Sequence, residues 1–288
     1  MEPQVDVRGI ESVTRAMDAH DVVGGQFREQ VAHGVLSGLI LRKGRDPLHI
    51  HGAAGTGKSL VADVVHTIAT DLLERTGSRV DLDCSNVKAS DLPQLLAQAA
   101  ESANQGTLVI DRMEALSADG LAQVQRMQRD QPNVLVVGLA DAATGLTGAR
   151  LKLKPLHERE DDLWALIDHY FARAVEELPA HDCRGFSRQS KADIAARVRD
   201  ASVKSVGVLR DIVRDCVYDV AAAGDLPELL TSEAIRGVLE LRYGQPPEER
   251  TIRDAALIES VFEAFESPAM VERLAEVHGV PPEVLQRQ

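Results

Sequence analysis

Hydrophobic and polar positions follow two different periods along the chain, and the change of period predicts two structural regions. Up to residue 155, short apolar runs of strand length are separated by segments in which apolar residues recur every three or four positions. The strand-like runs are at 48–51, 80–83, 108–111 and 134–139, and the clearest helical stripe is Val61, Val64, Val65, Ile68 and Leu72. Strands that alternate with helices predict a parallel sheet covered on both faces.

Beyond residue 155 the strand pattern disappears and only helical periodicity continues. Helices are predicted there at 163–178, 194–198, 208–220 and 232–243, and two earlier ones at 10–17 and 27–41. We therefore divide the chain into a helical lead-in (1–45), an α/β core (46–155), a helical region (156–243) and a small helical C-terminal unit (251–288). The proline-containing segment 244–249 has linker composition.

A glycine-rich loop joins the first strand of the α/β core to its first long helix. The loop matches G-x-x-x-x-G-K-[ST] and consists of Gly52, Ala53, Ala54, Gly55, Thr56, Gly57, Lys58 and Ser59. Glycines let successive backbone N–H groups turn toward phosphates, and the helix presents its positive end to the same anion. We predict that this loop, together with Leu60, binds ATP, with Lys58 on the β and γ phosphates and Ser59 as a ligand of Mg²⁺.

Asp111 ends an apolar strand and is the candidate Walker B aspartate. From that position its carboxylate can reach the magnesium shell, which would make it both a metal ligand and a catalytic residue. The alternative role is a helix cap, because aspartate is favoured where a helix follows a strand. We favour the metal role because we expect the P-loop to lie on a neighbouring strand.

Four motifs in the same order make the chain similar to a known family. Residues 106–116 resemble the G-T-L-F-L-D-E-I-G-E-L of the AAA+ domain in bacterial enhancer-binding activators of the NtrC type, and residues 80–85 resemble their F-V-x-V-N-C-A. Residues 154–163 are similar to P-P-L-R-E-R-x-E-D-I, and residues 207–212 to G-N-V-R-E-L. The resemblance implies an AAA+ P-loop core with a parallel sheet, followed by an all-α lid at 156–243.

The resemblance also assigns roles to three residues outside the loop. Arg210 corresponds to the sensor 2 arginine, which contacts the γ-phosphate from the lid and belongs to both the catalytic and the ATP-binding set. Asp141 falls near the polar sensor 1 residue, and Arg150 lies in the region of the catalytic arginine finger. In this family the finger completes the ATP site of a neighbouring subunit. A homo-oligomer, as a ring or a filament, with ATP and Mg²⁺ as cofactors is therefore implied.

Two departures from the family change the expected activity. Only residues 88–105 separate the second strand from the third, and the G-A-F-T-G-A loop that engages the alternative sigma factor is missing. The glutamate after the Walker B aspartate is replaced by Arg112, and a permanently charged guanidinium cannot act as a general base. Glu114 is either a substitute acid or an exposed carboxylate at a helix start. With this degenerate Walker B motif, both ATP hydrolysis to ADP and phosphate and ATP binding alone are open.

The C-terminal unit carries a second resemblance. Residues 270–285 are similar to the Fis-type helix-turn-helix that often ends such activators, with Gly279 at the turn. However, residues 251–288 contain three arginines and seven acidic residues, a balance of 3 − 7 = −4. A recognition helix with few cations gains little from phosphate contacts. DNA binding and protein docking are therefore equal alternatives for this unit.

Composition and charge limit the classes of function. The net charge of 32 − 45 = −13 disfavours general nucleic-acid binding. The three cysteines lie far apart without a CxxC pair, so we predict buried thiols rather than disulfides or a zinc site. No apolar run has the length of a membrane span, and residues 1–20 lack the core of a signal peptide. We therefore expect a cytoplasmic protein with no membrane partner.

Together these patterns predict an ATP-binding AAA+ oligomeric regulator, related to transcription, that hydrolyses ATP weakly or slowly and engages no sigma factor. The alternative is an ATP-gated protein-remodelling or scaffold component that does not bind DNA. The Fis-like pattern motivates the first hypothesis, and the acidic tail and the missing loop motivate the second. We also expect a protein partner.

Overall fold

The computed structural model describes residues 7–40, 44, 46–178, 182–199, 205–224 and 226–241. These residues belong to two compact units, which divide between Asp162 and Leu163. The predicted linker at 244–249 and the predicted C-terminal unit at 251–288 lie outside the described residues. Within the described ranges, no helix combines the length and the apolar character that a membrane span needs.

The first unit is built on a five-stranded parallel sheet. Its strands are β1 (Leu48–His51), β2 (Arg79–Asp83), β3 (Thr107–Asp111), β4 (Leu135–Ala140) and β5 (Ala149–Lys152). Its helices are α1 (Val7–Ala19), α2 (Gly25–Val35), α3 (Lys58–Leu73), α4 (Leu92–Ser102) and α5 (Ala118–Asp130). The predicted α/β core with a parallel sheet is therefore confirmed.

The strand order in this sheet is β2-β3-β4-β1-β5. The expectation that the P-loop strand β1 neighbours β3, the strand that ends in Asp111, is wrong, because β4 pairs with both and lies between them. Since all the strands are parallel, the carboxyl ends of β1, β3 and β4 nevertheless meet at one edge of the sheet. In open parallel sheets this edge is where ligands bind.

The edge strand β5 is an element that the hydrophobic pattern does not predict. Its side chains alternate strictly, with Ala149 and Leu151 buried and Arg150 and Lys152 exposed. The strand pairs with β1 at the border of the sheet. A border strand needs apolar side chains only at every second position, so a four-residue run with two cations carries a weak signal.

Two separate groups of buried side chains cover the two faces of the sheet. The first group combines α3 with α1, α2 and the π-helical turn Leu36–Ile40. It includes most of the predicted stripe of α3, and the fully buried members of that stripe are Val61, Val64, Val65 and Ile68. The second group combines α4 and α5 with β3 and β4. Burying such aliphatic side chains stabilises the layers by about 1.5 to 3 kcal/mol each.

The start of α2 is held by a buried carboxylate at the end of the first unit. Asp162 accepts two hydrogen bonds from backbone N–H groups there, from Gln26 to Oδ1 at 2.9 Å and from Phe27 to Oδ2 at 3.0 Å. Its negative charge also suits the positive end of the helix. Gly24 has φ 99°, and a Cβ on it would lie 2.4 Å from Cγ of Asp162. Only glycine allows this close approach.

The second unit, from Leu163 onward, is mainly helical. It holds most of α6 (Glu160–Glu176), and α7 (Arg188–Arg199), α8 (Val206–Ala222) and α9 (Ser232–Leu241), in agreement with the predicted helices. It also contains a two-stranded parallel sheet of β6 (Gly185–Phe186) and β7 (Leu229–Leu230), which the purely helical prediction for this region omits. Two residues per strand are too few to show an alternation in the sequence.

Candidate functional site

The glycine-rich loop turns between the carboxyl end of β1 and Lys58, the first residue of α3. Gly55 and Gly57 have φ values of 74° and 100°, in the left-handed region where a residue with a Cβ is strained. Gly52 is needed for a different reason, since a Cβ there would lie 2.7 Å from the carbonyl oxygen of Leu153. The path of the loop therefore depends on glycine at these three positions.

The ring of Phe27 packs against the loop. A Cβ on Gly57 would lie 3.0 Å from Cζ of Phe27, so the ring occupies the space beside the glycine. The guanidinium carbon of the buried Arg159 lies 4.4 Å from the centroid of the same ring. Because Asp162 binds the backbone N–H of Phe27, the loop, the start of α2 and residues 159–162 form one packed group.

The side chain of Lys58 folds back over the loop. Its Nζ donates hydrogen bonds to the carbonyl oxygens of Gly52 at 2.7 Å and Ala53 at 3.3 Å, and it forms an ion pair with Oδ1 of Asp141 at 2.7 Å. Thr56 Oγ1 closes the turn by donating to the carbonyl oxygen of Ala53 at 2.9 Å. Only 12% of the Lys58 side chain is exposed, so its charge is held close to the loop.

The other predicted loop residues form the outer surface of the turn and the first turn of α3. Ala53, Ala54, Gly55 and Ser59 are exposed, and Leu60 is half-buried. The N–H groups of residues 58 to 60 open α3, and the first N–H groups of a helix have no partner one turn earlier in the chain. They are therefore suited to bind an anion.

Asp111 is the last residue of β3 and is half-buried. Its Oδ1 accepts a hydrogen bond from the backbone N–H of Arg112 at 2.8 Å. The next three residues form only a short 3₁₀ turn, Met113–Ala115, so no α-helix begins there for Asp111 to cap. The carboxylate lies at the carboxyl edge of the sheet, as a metal-binding role requires.

Arg112 adopts a left-handed backbone conformation with φ 55°. Its Nε lies 3.8 Å from Oδ1 of Asp83, which ends the outer strand β2. Both side chains are more than half exposed. The guanidinium therefore contacts the β2 side of β3, whereas the P-loop strand lies on the β4 side.

Glu114 approaches the P-loop side instead. Its Oε2 accepts a hydrogen bond from the backbone N–H of Asp141 at 3.1 Å, and the Asp141 carboxylate is paired with Lys58. The sequence leaves the role of Glu114 open, and no residue type in this segment marks the left-handed turn at Arg112. The contact can be seen only in the folded chain.

The two predicted arginines lie in different units. Arg150 is in the amino-terminal half of β5, where it pairs in register with His49, and its guanidinium donates to the carbonyl oxygen of Leu146 at 3.3 Å. The P-loop follows the opposite, carboxyl end of β1. Arg210 lies on α8 of the second unit, where its exposed guanidinium bonds Asp211 at 3.2 Å.

Three carboxylates lie near the carboxyl ends of β2 and β3. The thiol of Cys84, just after β2, has its pKa raised to about 11, first by burial and then by the charges of Asp83, Asp111 and Glu114. Burial also lowers the pKa of His49 on β1, because it disfavours the charged imidazolium, and the hydrogen bond to the Thr147 carbonyl opposes part of this effect. Asp83, Asp111 and Glu114 therefore all lie near one buried thiol at the carboxyl edge of β2 and β3.

A metal cage made only of protein side chains does not occur in the part of the chain that the structure describes. No group of three or more His, Cys, Asp and Glu residues there is placed to hold an ion. Ser59 and Asp111 would supply two oxygens, which is the usual protein share of a magnesium site completed by phosphates and water.

The strand order and the P-loop define the class of fold, and comparisons agree. No family model and no curated protein matches the chain. Solved structures do match, and their common architecture is the AAA+ α/β fold. This chain therefore has the AAA+ fold.

Two of these structures illustrate the likeness. NtrX from Brucella abortus, solved in complex with ATP, is 17% identical with a TM-score of 0.57, over 97% of this chain and 72% of NtrX. The RuvB Holliday junction branch migration motor from Thermotoga maritima is 16% identical with a TM-score of 0.53, over 91% of this chain and 84% of RuvB. Identities this low show a shared fold alone.

Proposed function

We propose that this chain is an ATP-binding, oligomeric AAA+ regulator that assembles in response to ATP and Mg²⁺ and hydrolyses ATP slowly. The observation that carries the proposal is the loop from Gly52 to Ser59. Its backbone requires glycine at three positions, and the Lys58 ammonium is held over it. ATP bound in the related fold of NtrX supports the choice of nucleotide.

The residues present fit a triphosphate and its metal. Lys58 already pairs with one anion, the Asp141 carboxylate, and a phosphate oxygen can replace that carboxylate as its partner. The opening N–H groups of α3, from Lys58 to Leu60, would bind the same phosphates. Ser59 and Asp111 would hold Mg²⁺, which bridges the phosphates and neutralises their charge.

Slow turnover follows from the residue after Asp111. A guanidinium only donates hydrogen bonds and stays charged, so Arg112 cannot accept a proton from water. Its contact with Asp83 also directs it toward β2. We therefore propose a protein that binds ATP well but hydrolyses it slowly. Its turnover should lie below about 1 s⁻¹, the low end of common enzymes.

Assembly is proposed from Arg150, on the edge strand β5, which would complete the ATP site of a neighbouring subunit as an arginine finger. Arg210, on α8, would contact the γ-phosphate. Both roles come from the resemblance to the enhancer-binding activators. The role of Arg150 predicts that ATP with Mg²⁺ favours the oligomer.

The downstream role has two candidates. Transcription regulation is favoured by the Fis-like segment 270–285, and an ATP-gated scaffold without DNA binding is favoured by the charge of −4 in residues 251–288, from three arginines and seven acidic residues. In neither case do we propose sigma-factor engagement, because one helix, α4, and short connections fill the interval between β2 and β3.

Calorimetric titration with ATP and Mg²⁺ tests the nucleotide site. Lys58→Ala should weaken binding by about tenfold to a hundredfold, because charge-assisted bonds to phosphate are lost. Lys88→Ala, which removes an exposed lysine from the loop after β2, is the matched control and should bind as the wild type does. Equal affinities in the wild type and Lys58→Ala would contradict the P-loop assignment.

Light scattering and gel retardation test the two remaining parts. Particles should be larger with ATP and Mg²⁺ than with EDTA at tens of micromolar protein, the range of ordinary weak interfaces. A monomeric mass under both conditions contradicts the oligomer.

A retarded DNA band at about 0.15 M salt supports transcription regulation, and no retardation at any salt concentration supports the scaffold.

A further inference from the structure

In the segment after β3, the acidic residue stands two positions later than in the enhancer-binding family. The backbone also bends at Arg112. Arg112 has φ 55° and is followed by the 3₁₀ turn Met113–Ala115. An arginine gains nothing from the left-handed region, which costs a residue with a Cβ about 1 to 2 kcal/mol. The bend directs Arg112 toward Asp83 and brings Glu114 to the end of β4.

A continuous set of contacts joins Glu114 to the P-loop. Its Oε2 accepts the backbone N–H of Asp141 at 3.1 Å, and Oδ1 of Asp141 lies 2.7 Å from Nζ of Lys58. Lys58 in turn bonds the carbonyl oxygens of Gly52 and Ala53. Glu114 is thereby linked, through the single residue Asp141, to Lys58, the lysine that we assign to the β and γ phosphates.

We propose that Glu114 orients the water that attacks the γ-phosphate, in place of the glutamate that Arg112 replaces. The inference rests on the proposed ATP site and names the residue on which the remaining turnover depends. The bond to Asp141 uses Oε2, so Oε1 can accept a hydrogen bond from water. Glu114 is also exposed, and solvent can therefore reach it.

The other carboxylates at this edge have different partners. Asp83 accepts the backbone N–H of Ser85 at 2.8 Å and lies beside Arg112. Asp111 is assigned to the metal. Of Asp83, Asp111 and Glu114, the last is thus the carboxylate that remains for the water.

The step is a hydrolysis and needs no further reactant. The water oxygen bonds to the γ-phosphorus while the bond from that phosphorus to the β–γ bridging oxygen breaks, and ADP leaves with the electron pair. Glu114 accepts a proton from the water and passes it to solvent. The products are ADP, inorganic phosphate and a proton.

Phosphate release and calorimetric ATP affinity, measured on the same preparations with Mg²⁺, test the proposal. Glu114→Gln should lower kcat by about a hundredfold or more, the usual size of a general-base contribution. Its ATP affinity should stay within about threefold of the wild type, because the amide oxygen still accepts the Asp141 N–H and the phosphate contacts are untouched. Glu114→Asp should retain part of the turnover, since it keeps the acid on a shorter side chain.

The matched control is Glu101→Gln, an exposed glutamate near the end of α4, and its kcat should be that of the wild type. A kcat in Glu114→Gln within about threefold of the wild type overturns the proposal, since general bases contribute far more. A wild type that binds ATP but releases no phosphate also overturns it. If the wild type does not bind ATP at all, the proposed function itself fails.

Discussion

Two segments at the same edge of the sheet differ in how the chain builds them. The loop at 52–59 is made by its backbone, with glycines at fixed positions and a lysine that bonds two loop carbonyls. The segment at 111–116 is made by side chains, whose directions depend on one left-handed residue, Arg112. The first segment can be recognised from residue types in order, whereas the second cannot.

The difference has a physical origin. Glycine is the residue that tolerates a positive φ and a close approach of other backbone, so a loop that needs both must keep it at set spacing. A carboxylate can reach a given point from several positions in the chain, because the backbone between can bend. Glu114 therefore reaches Asp141 although the residue directly after Asp111 is a cation.

The largest expected effect tests the loop at 52–59. Gly57→Ala should lower the free energy of unfolding by about 1 to 3 kcal/mol and weaken ATP binding, since a Cβ at φ 100° is strained and meets Phe27 at 3.0 Å. Urea unfolding and calorimetry measure the two changes. Gly145→Ala is the matched control, because a Cβ there meets nothing within 4 Å. Equal losses in both variants would show that the geometry of the loop does not depend on Gly57.

A pH-dependent effect of intermediate size tests whether Asp83, Asp111 and Glu114 lie close together near the segment at 111–116. The folded state raises the pKa of Cys84 from 9.0 to about 11, so the folded protein keeps the thiol proton where the unfolded chain loses it. The free energy of unfolding should therefore fall as pH rises from 9 toward 11, by at most about 2 to 3 kcal/mol. Below pH 9 this effect should vanish.

Cys84→Ala removes that titration, so the stability difference between wild type and variant should shift in the variant's favour between pH 9 and 11. Chemical denaturation at several pH values measures it, and the other titrating groups cancel in the difference. A stability difference independent of pH would mean that the thiol is not in the buried, negative surroundings of Asp83, Asp111 and Glu114.

The smallest expected effect tests the bend itself. Arg112→Gly should raise the free energy of unfolding by up to about 1 kcal/mol, because glycine adopts φ 55° without strain. The exposed contact with Asp83, at 3.8 Å, contributes little that would be lost. Arg112→Ala is the matched control and should be no more stable than the wild type. If Arg112→Gly is clearly destabilised, the backbone at this position is not left-handed.

The sequence predicts the elements with a clear period. The short strand-like runs of β1, β3 and β4 and the stripe of α3 mark a parallel α/β core, and the structure confirms it. It predicts the helices of the second unit for the same reason. It misses β5, β6 and β7, because short or half-exposed strands bury too few side chains to leave a pattern.

In the candidate site too, the sequence predicts some features and only the folded chain decides others. Residue order by itself predicts the loop at 52–59, since the required backbone conformations select glycine at fixed spacing. Tertiary structure alone decides that β4 lies between β1 and β3, that Asp141 pairs with Lys58, and that Glu114 rather than Arg112 faces this pair. These contacts join residues that are distant in the chain, and their geometry depends on strand order and on one backbone bend that no residue type announces.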